Sequence, residues 1–131
     1  MKKEISSTME DYLEAIAALE RQNEIARVRD IAHLLSVKSS SVNAALKMLS
    51  KKGLVKHEKY GYVNLTPAGE EIARNVQCKH DLLLKFLTEI LSINDNKALQ
   101  DACKMEHAIS PKTFDRLTKF IQFVETGLNG D

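Results

Sequence analysis

Apolar residues recur along the chain with two periods, and the switches between them outline the fold. Met9, Tyr12, Leu13, Ile16 and Leu19 repeat at helical spacing, and Ser7-Thr8-Met9-Glu10 has the form of a capping box, so a first helix is predicted to about Arg21. Asn23 to Val28 reads as a turn and a short extended piece. A second helix is predicted from about Val28 to Leu35 with Ile31, Leu34 and Leu35 inward, followed by a polar break at Ser36-Val37-Lys38-Ser39. Ser39 or Ser40 can cap a third helix that carries Val42, Leu46 and Leu49 on one face and ends at Lys51-Lys52-Gly53.

The period then changes to two. Leu54 to Glu58 and Tyr62 to Leu65 alternate around Lys59-Tyr60-Gly61, which predicts a hairpin. Thr66 as cap and Pro67 at the first helical position open a long helix to about Leu91. Its second half, with Leu82, Leu83, Leu84, Phe86, Leu87, Ile90 and Leu91, is more apolar than a small core requires and implies a partner surface. Asn94-Asp95 can cap a further helix through about Ala108. Ser110-Pro111 starts the last, with Phe114, Leu117, Phe120, Ile121 and Val124 in phase, before the chain frays from Gly127.

Two short helices separated by a tight break, the second opening with serines and followed by a hairpin, match a winged helix-turn-helix. The predicted fold is therefore mainly α. A winged helix-turn-helix domain with a small β-hairpin wing occupies residues 1–72, and an all-helical domain occupies residues 73–131. A length of 131 residues with 44% hydrophobic content suits one ordinary domain or two small ones. No window has the apolar length of a membrane span and the N-terminus has no signal-peptide core, so a cytoplasmic protein is expected. Cys78 and Cys103 are too few for a disulfide framework and are expected to be reduced thiols.

The net charge of +1 conceals a division. Residues 27–59 hold eight basic residues against Asp30 and Glu58, a net of +6, which leaves −5 for the remainder. One basic block in an acidic frame suits a face that meets DNA phosphates. Base contacts are expected from Lys38, Ser39, Ser40, Ser41 and Asn43, with Lys47 further along, and phosphate contacts from Arg27, Arg29, Lys51, Lys56, Lys59 and Tyr60. For each of these the alternative is an ordinary solvated side chain, since not every lysine in a basic patch touches DNA.

Cys103, Glu106 and His107 stand at i, i+3 and i+4 of a predicted helix, so a thiolate, a carboxylate and an imidazole project from adjacent turns. That spacing supplies half of an octahedral or most of a tetrahedral metal shell. It is equally the pattern of a half-buried cysteine beside a surface Glu-His pair. Asp11 and Glu14 form a second acidic pair on the first helix, and His80 sits alone in the long helix. By themselves these three read as surface or structural residues.

In seven blocks, in order, the chain resembles the diphtheria-toxin-repressor (DtxR/MntR) family of metal-dependent transcriptional repressors. The blocks are Thr8-Met9-Glu10-Asp11-Tyr12-Leu13-Glu14, Arg27-Val28-Arg29-Asp30-Ile31-Ala32, Ser39-Ser40-Ser41-Val42, Gly53-Leu54-Val55, Leu65-Thr66-Pro67-Ala68-Gly69, Lys79-His80-Asp81-Leu82-Leu83, and Cys103 through Ser110. The resemblance implies that Asp11, Glu14, His80, Cys103, Glu106 and His107 are metal ligands. It also implies that the last three helices build a homodimer and that double-stranded operator DNA is the partner. Asp11 and Glu14 are the manganese-type pair, whereas Cys103 is the iron-type residue. Leu84 and Leu99 occupy positions where iron-type members carry ancillary ligands, so that second site is expected to be lost. The chain ends after the dimerisation helix, which matches a short form without the SH3-like domain of longer members.

A thiolate disfavours hard Mn(II) relative to Fe(II), so Fe(II) is the expected metal and Mn(II) the alternative, favoured by Asp11 and Glu14. Metal would set the spacing of two recognition helices on DNA. No catalytic residue, small-molecule substrate or membrane partner is expected. An enzyme with Cys103 and His107 as nucleophile and base lacks an evident oxyanion donor and leaves the basic wing unexplained. A metal-independent regulator responding to a small molecule or to oxidation of Cys103 is the remaining alternative.

Overall fold

A computed structural model describes residues 5–23, 25–58 and 61–128, in two compact units, one running to Val76 and the other starting at Gln77. In the first unit, α1 (Ser7–Asn23) buries Tyr12, Leu13, Ala15, Ile16 and Leu19. Its cap is Ser6, one position before the predicted box, whose hydroxyl accepts from the Met9 N–H at 3.2 Å. β1 (Ala26–Arg27) leads into α2 (Val28–Leu35), which ends on Ser36 in the left-handed region. The buried stripe of α2 is narrow. It holds Ile31 and Ala32, while Leu34, expected inward, lies outside it and is 50% exposed.

α3 (Ser39–Lys51) buries Val42, Leu46 and Leu49 as its periodicity requires. Neither Ser39 nor Ser40 caps it, contrary to expectation. The chain enters through Lys38 in an extended conformation, and the Lys38 carbonyl accepts from the Ser41 and Val42 N–H groups at 3.0 and 3.1 Å. The three serines Ser39, Ser40 and Ser41 are thereby left exposed. Gly53, with φ 73°, closes the helix in the conformation for which glycine has no steric penalty.

β2 (Val55–His57) and β3 (Tyr62–Leu65) form the wing hairpin, with Val55 opposite Leu65 and His57 opposite Val63. The sheet has three strands, not two. The extended piece before α2 pairs antiparallel with β3, Ala26 against Val63 and Arg27 against Tyr62, which ties the wing to the start of the helix-turn-helix. α4 (Pro67–Lys85) starts where predicted: the Thr66 hydroxyl accepts from the Gly69 N–H at 3.1 Å and donates to the Gly53 carbonyl at 2.7 Å.

In the second unit α4 continues into a turn of π-helix at Phe86–Ile90, so the predicted run to Leu91 is helical throughout but widened at its end. α5 (Asp95–Ala108) is capped by Asn94, which accepts from the Lys97 N–H at 2.9 Å. α6 (Pro111–Leu128) is capped by Ser110 through the Thr113 N–H at 3.2 Å. Leu83, Leu87, Ala98 and Ala102 make the core, with Leu84, Phe86, Ile93, Met105, Ile109 and Leu117 packed around it. The small residues of α5 permit its close approach to the π turn. Lys85 forms an ion pair with Glu125 on α6, and that partner raises the lysine above its ordinary value. Leu91, Leu99, Phe120 and Phe123 remain exposed, Phe123 to 76%. No helix among the described residues is long and apolar enough to cross a membrane.

Candidate metal centre and nucleic-acid interface

The second unit brings four of the six predicted ligands together. Glu106 is only 3% exposed, and a carboxylate at that depth requires polar partners. Two imidazoles provide them. His80 Nδ1 on α4 donates to Glu106 Oε2 at 2.8 Å, and His107 Nε2 lies 3.3 Å from Glu106 Oε1. Cys103 Sγ stands 3.9 Å from His80 Nδ1. One donor atom from each of His80, Cys103 and Glu106 lies within 4.8 Å of the others. Donors bound at about 2.0–2.3 Å from one ion are themselves roughly 3–4 Å apart, so this nitrogen, sulfur and oxygen set fits a transition metal after small side-chain adjustments.

Sequence spacing had joined Cys103, Glu106 and His107; the packing of α4 on α5 adds His80. In the first unit, Asp11 and Glu14 are half-buried one turn apart on α1, with a carboxylate oxygen of each within 4.8 Å of the other. Leu84 packs on the core of the second unit and Leu99 is exposed, and neither side chain offers a donor atom to a second ion.

On the first unit, the outer face of α3 carries Ser39, Ser40, Ser41, Asn43, Lys47 and Lys51, all exposed, with Lys38 exposed at the helix entrance. Arg29 on α2 and Lys56 on β2 are exposed as well. Arg27 is exposed but engaged: its guanidinium lies 5.1 Å from the Tyr62 ring centroid and donates to the Tyr62 hydroxyl at 3.4 Å. Lys59 and Tyr60 fall outside the described residues. Between α3 and β2 an open cleft of about 400 Å³ is lined by Asn43, Leu46, Lys47, Ser50, Lys51 and His57. Sequence reasoning passed over Ser50 and His57; the available signal was strand alternation, which puts His57 on the same side of β2 as the inward Val55.

Residues 4–63 match the family model described as the N-terminal DNA binding domain of iron dependent repressors, and residues 66–131 match the metal binding and dimerisation domain. An uncharacterized HTH-type transcriptional regulator of Methanocaldococcus jannaschii is 35% identical over 90% of this chain and 95% of its own length. The transcriptional regulator MntR of Bacillus pumilus is 37% identical over 90% of this chain and 81% of its own. The structure of the manganese regulator SloR superposes with a TM-score of 0.76 at 30% identity, over 88% of this chain. The chain spans about half of that longer protein, 54%. A DNA-binding domain followed by a metal-binding and dimerisation domain defines a metal-dependent transcriptional repressor, not an enzyme. The chain belongs to the iron dependent repressor family.

Proposed function

We propose that this protein acts in the cytoplasm as a homodimeric repressor of metal-uptake genes, and that a divalent metal sets its affinity for operator DNA. Residues 1–72 hold the DNA, and residues 73–131 bind metal and dimerise. The ligands are Asp11, Glu14, His80, Cys103, Glu106 and His107, so that the ion joins the first helix to the dimerisation domain. The observation that carries this reading is the buried Glu106 carboxylate held between two imidazoles beside a cysteine. Dimeric helix-turn-helix proteins need recognition helices about 34 Å apart, one turn of DNA, so a small change at a hinge decides whether both half-sites are read.

The physiological ion in this reading is Fe(II), because the Cys103 thiolate is a poor ligand for hard Mn(II). Mn(II) is the second reading, favoured by the carboxylates Asp11 and Glu14 and by the manganese regulator among the similar structures. The test is anaerobic operator affinity against free Fe(II), Mn(II), Co(II) and Zn(II), repeated with Cys103→Glu. The thiolate reading expects Fe(II) to activate the native chain at lower concentration than Mn(II), and Cys103→Glu to reverse that order. Operator binding that persists undiminished in chelator, under reducing conditions, overturns metal control and leaves regulation by a small molecule or by the thiol.

A further inference from the structure

We infer that the cleft between α3 and the wing is a seat for a DNA backbone phosphate, and that His57 is the wing's ligand in it. This deepens the DNA-binding reading and rests on it. Asn43, Lys47 and Lys51 follow one another at i, i+4 and i+8 and so form one stripe along α3, directed at the cleft they line. Ser50 belongs to the adjacent row, and its hydroxyl donates to the Val55 carbonyl on β2 at 3.5 Å, which sets the width of the cleft. Two residues along the strand, His57 returns to the same side as Val55 and closes the far wall.

Three nitrogen donors from two separate elements thus converge on one exposed concavity, with the Asn43 amide beside them and Leu46 as its floor. No carboxylate is among the lining residues. Alternation turns Lys56 to the other side of β2, and Glu58, just beyond the strand, is not among the residues that line the cleft. An oxyanion suits this site: the two ammonium groups of Lys47 and Lys51 more than offset a single negative charge, and the planar imidazole N–H and the amide fix its orientation. In the DNA complex the occupant is a phosphodiester flanking the bases that α3 reads. The cleft therefore clamps the recognition helix and the wing onto one backbone, whatever the base sequence.

The experiment uses the metal-loaded full chain and a labelled mixed-sequence duplex several helical turns long, with binding followed by fluorescence anisotropy over a salt series. His57→Ala is expected to weaken binding about tenfold or more, the loss of one hydrogen bond to a charged group. His57→Arg is expected to restore or exceed native affinity and to steepen the salt slope by about one unit per cleft, since it adds a permanent cation. His57 is exposed, and equal melting temperatures confirm that both variants fold. Native affinity and native slope in both His57 variants, with Lys47→Ala still weakened, would remove His57 from the interface and leave the DNA-binding reading intact. Failure of the native metal-loaded chain to bind any duplex would instead overturn that reading.

Discussion

His80 on α4 and Glu106 on α5 meet at 2.8 Å, and the contact makes a buried carboxylate the junction of two helices. Alanine at Glu106 removes the acceptor from both His80 and His107 while leaving the apolar core of Leu83, Leu87, Ala98 and Ala102 in place. Glu106→Ala is expected to lower metal affinity at least about a hundredfold, more than the loss of a group that merely orients a ligand. Metal-dependent operator binding should disappear with it, and the dimer should remain in sedimentation. A metal titration by mobility shift that matches the native protein would take Glu106 out of the ligand set.

Gly69 sits in the first turn of α4, where a Cβ would lie 2.0 Å from the carbonyl oxygen of Leu54. That oxygen already accepts from the Thr66 N–H at 3.1 Å, so the backbone cannot yield without breaking the link between wing and helix. Gly69→Ala is expected to cost about 1–3 kcal/mol or more through overpacking, despite alanine's better helix propensity. Thermal unfolding of the metal-free protein measures this directly, and an unchanged or raised melting temperature would contradict the packing.

The parts of the molecule that depend on neighbours in sequence are legible in the sequence alone. Thr66-Pro67 marked the start of α4 to the residue because both the cap and the fixed proline φ act within one turn. Cys103, Glu106 and His107 were legible for the same reason, their spacing being helix geometry. What escaped depends on packing. Ser39 and Ser40 carry the right chemistry for a cap, but the extended backbone at Lys38 decides where α3 begins. β1 is two residues long and exists only because β3 pairs with it. His57 is a single histidine without a periodic signal, and the wing turns it toward α3. His80 lacks such a signal too and is reached only through the family resemblance, its carboxylate partner coming from α5.

Phe123 is 76% exposed on α6 and Phe120 is 51% exposed one turn before it, while Ile121 between them is fully buried. Such aromatic exposure on a helix of a dimerisation domain marks a surface that needs a cover. Phe123→Lys is expected to shift the protein from dimer toward monomer with little effect on the fold of the second unit. Sedimentation across a concentration series checks the first point and circular dichroism the second. A dimer as tight as the native one would place the interface elsewhere.

Glu20 on α1 supplies a pH-dependent test of the first unit. Burial pushes its carboxyl above the usual carboxylate range, the Leu65 backbone hydrogen bond pulls it partly back, and the Glu70 carboxylate adds to the rise. Folding therefore favours the protonated form, so the charged form imposes a penalty at neutral pH. The penalty is present above the folded pKa and is relieved as pH falls through it, the reverse of a salt-bridged carboxylate. Glu20→Gln keeps an acceptor for Leu65 without the charge. It is expected to melt above the native protein at pH 7, with the gap narrowing as the pH enters the range just above ordinary carboxylate values. Acid-labile groups that do not interact with Glu20 are common to both proteins and cancel in the difference, while relief of the Glu70 carboxylate adds to it with the same sign. A gap that stays constant with pH, or that favours the native chain at pH 7, would show that Glu20 carries no such penalty.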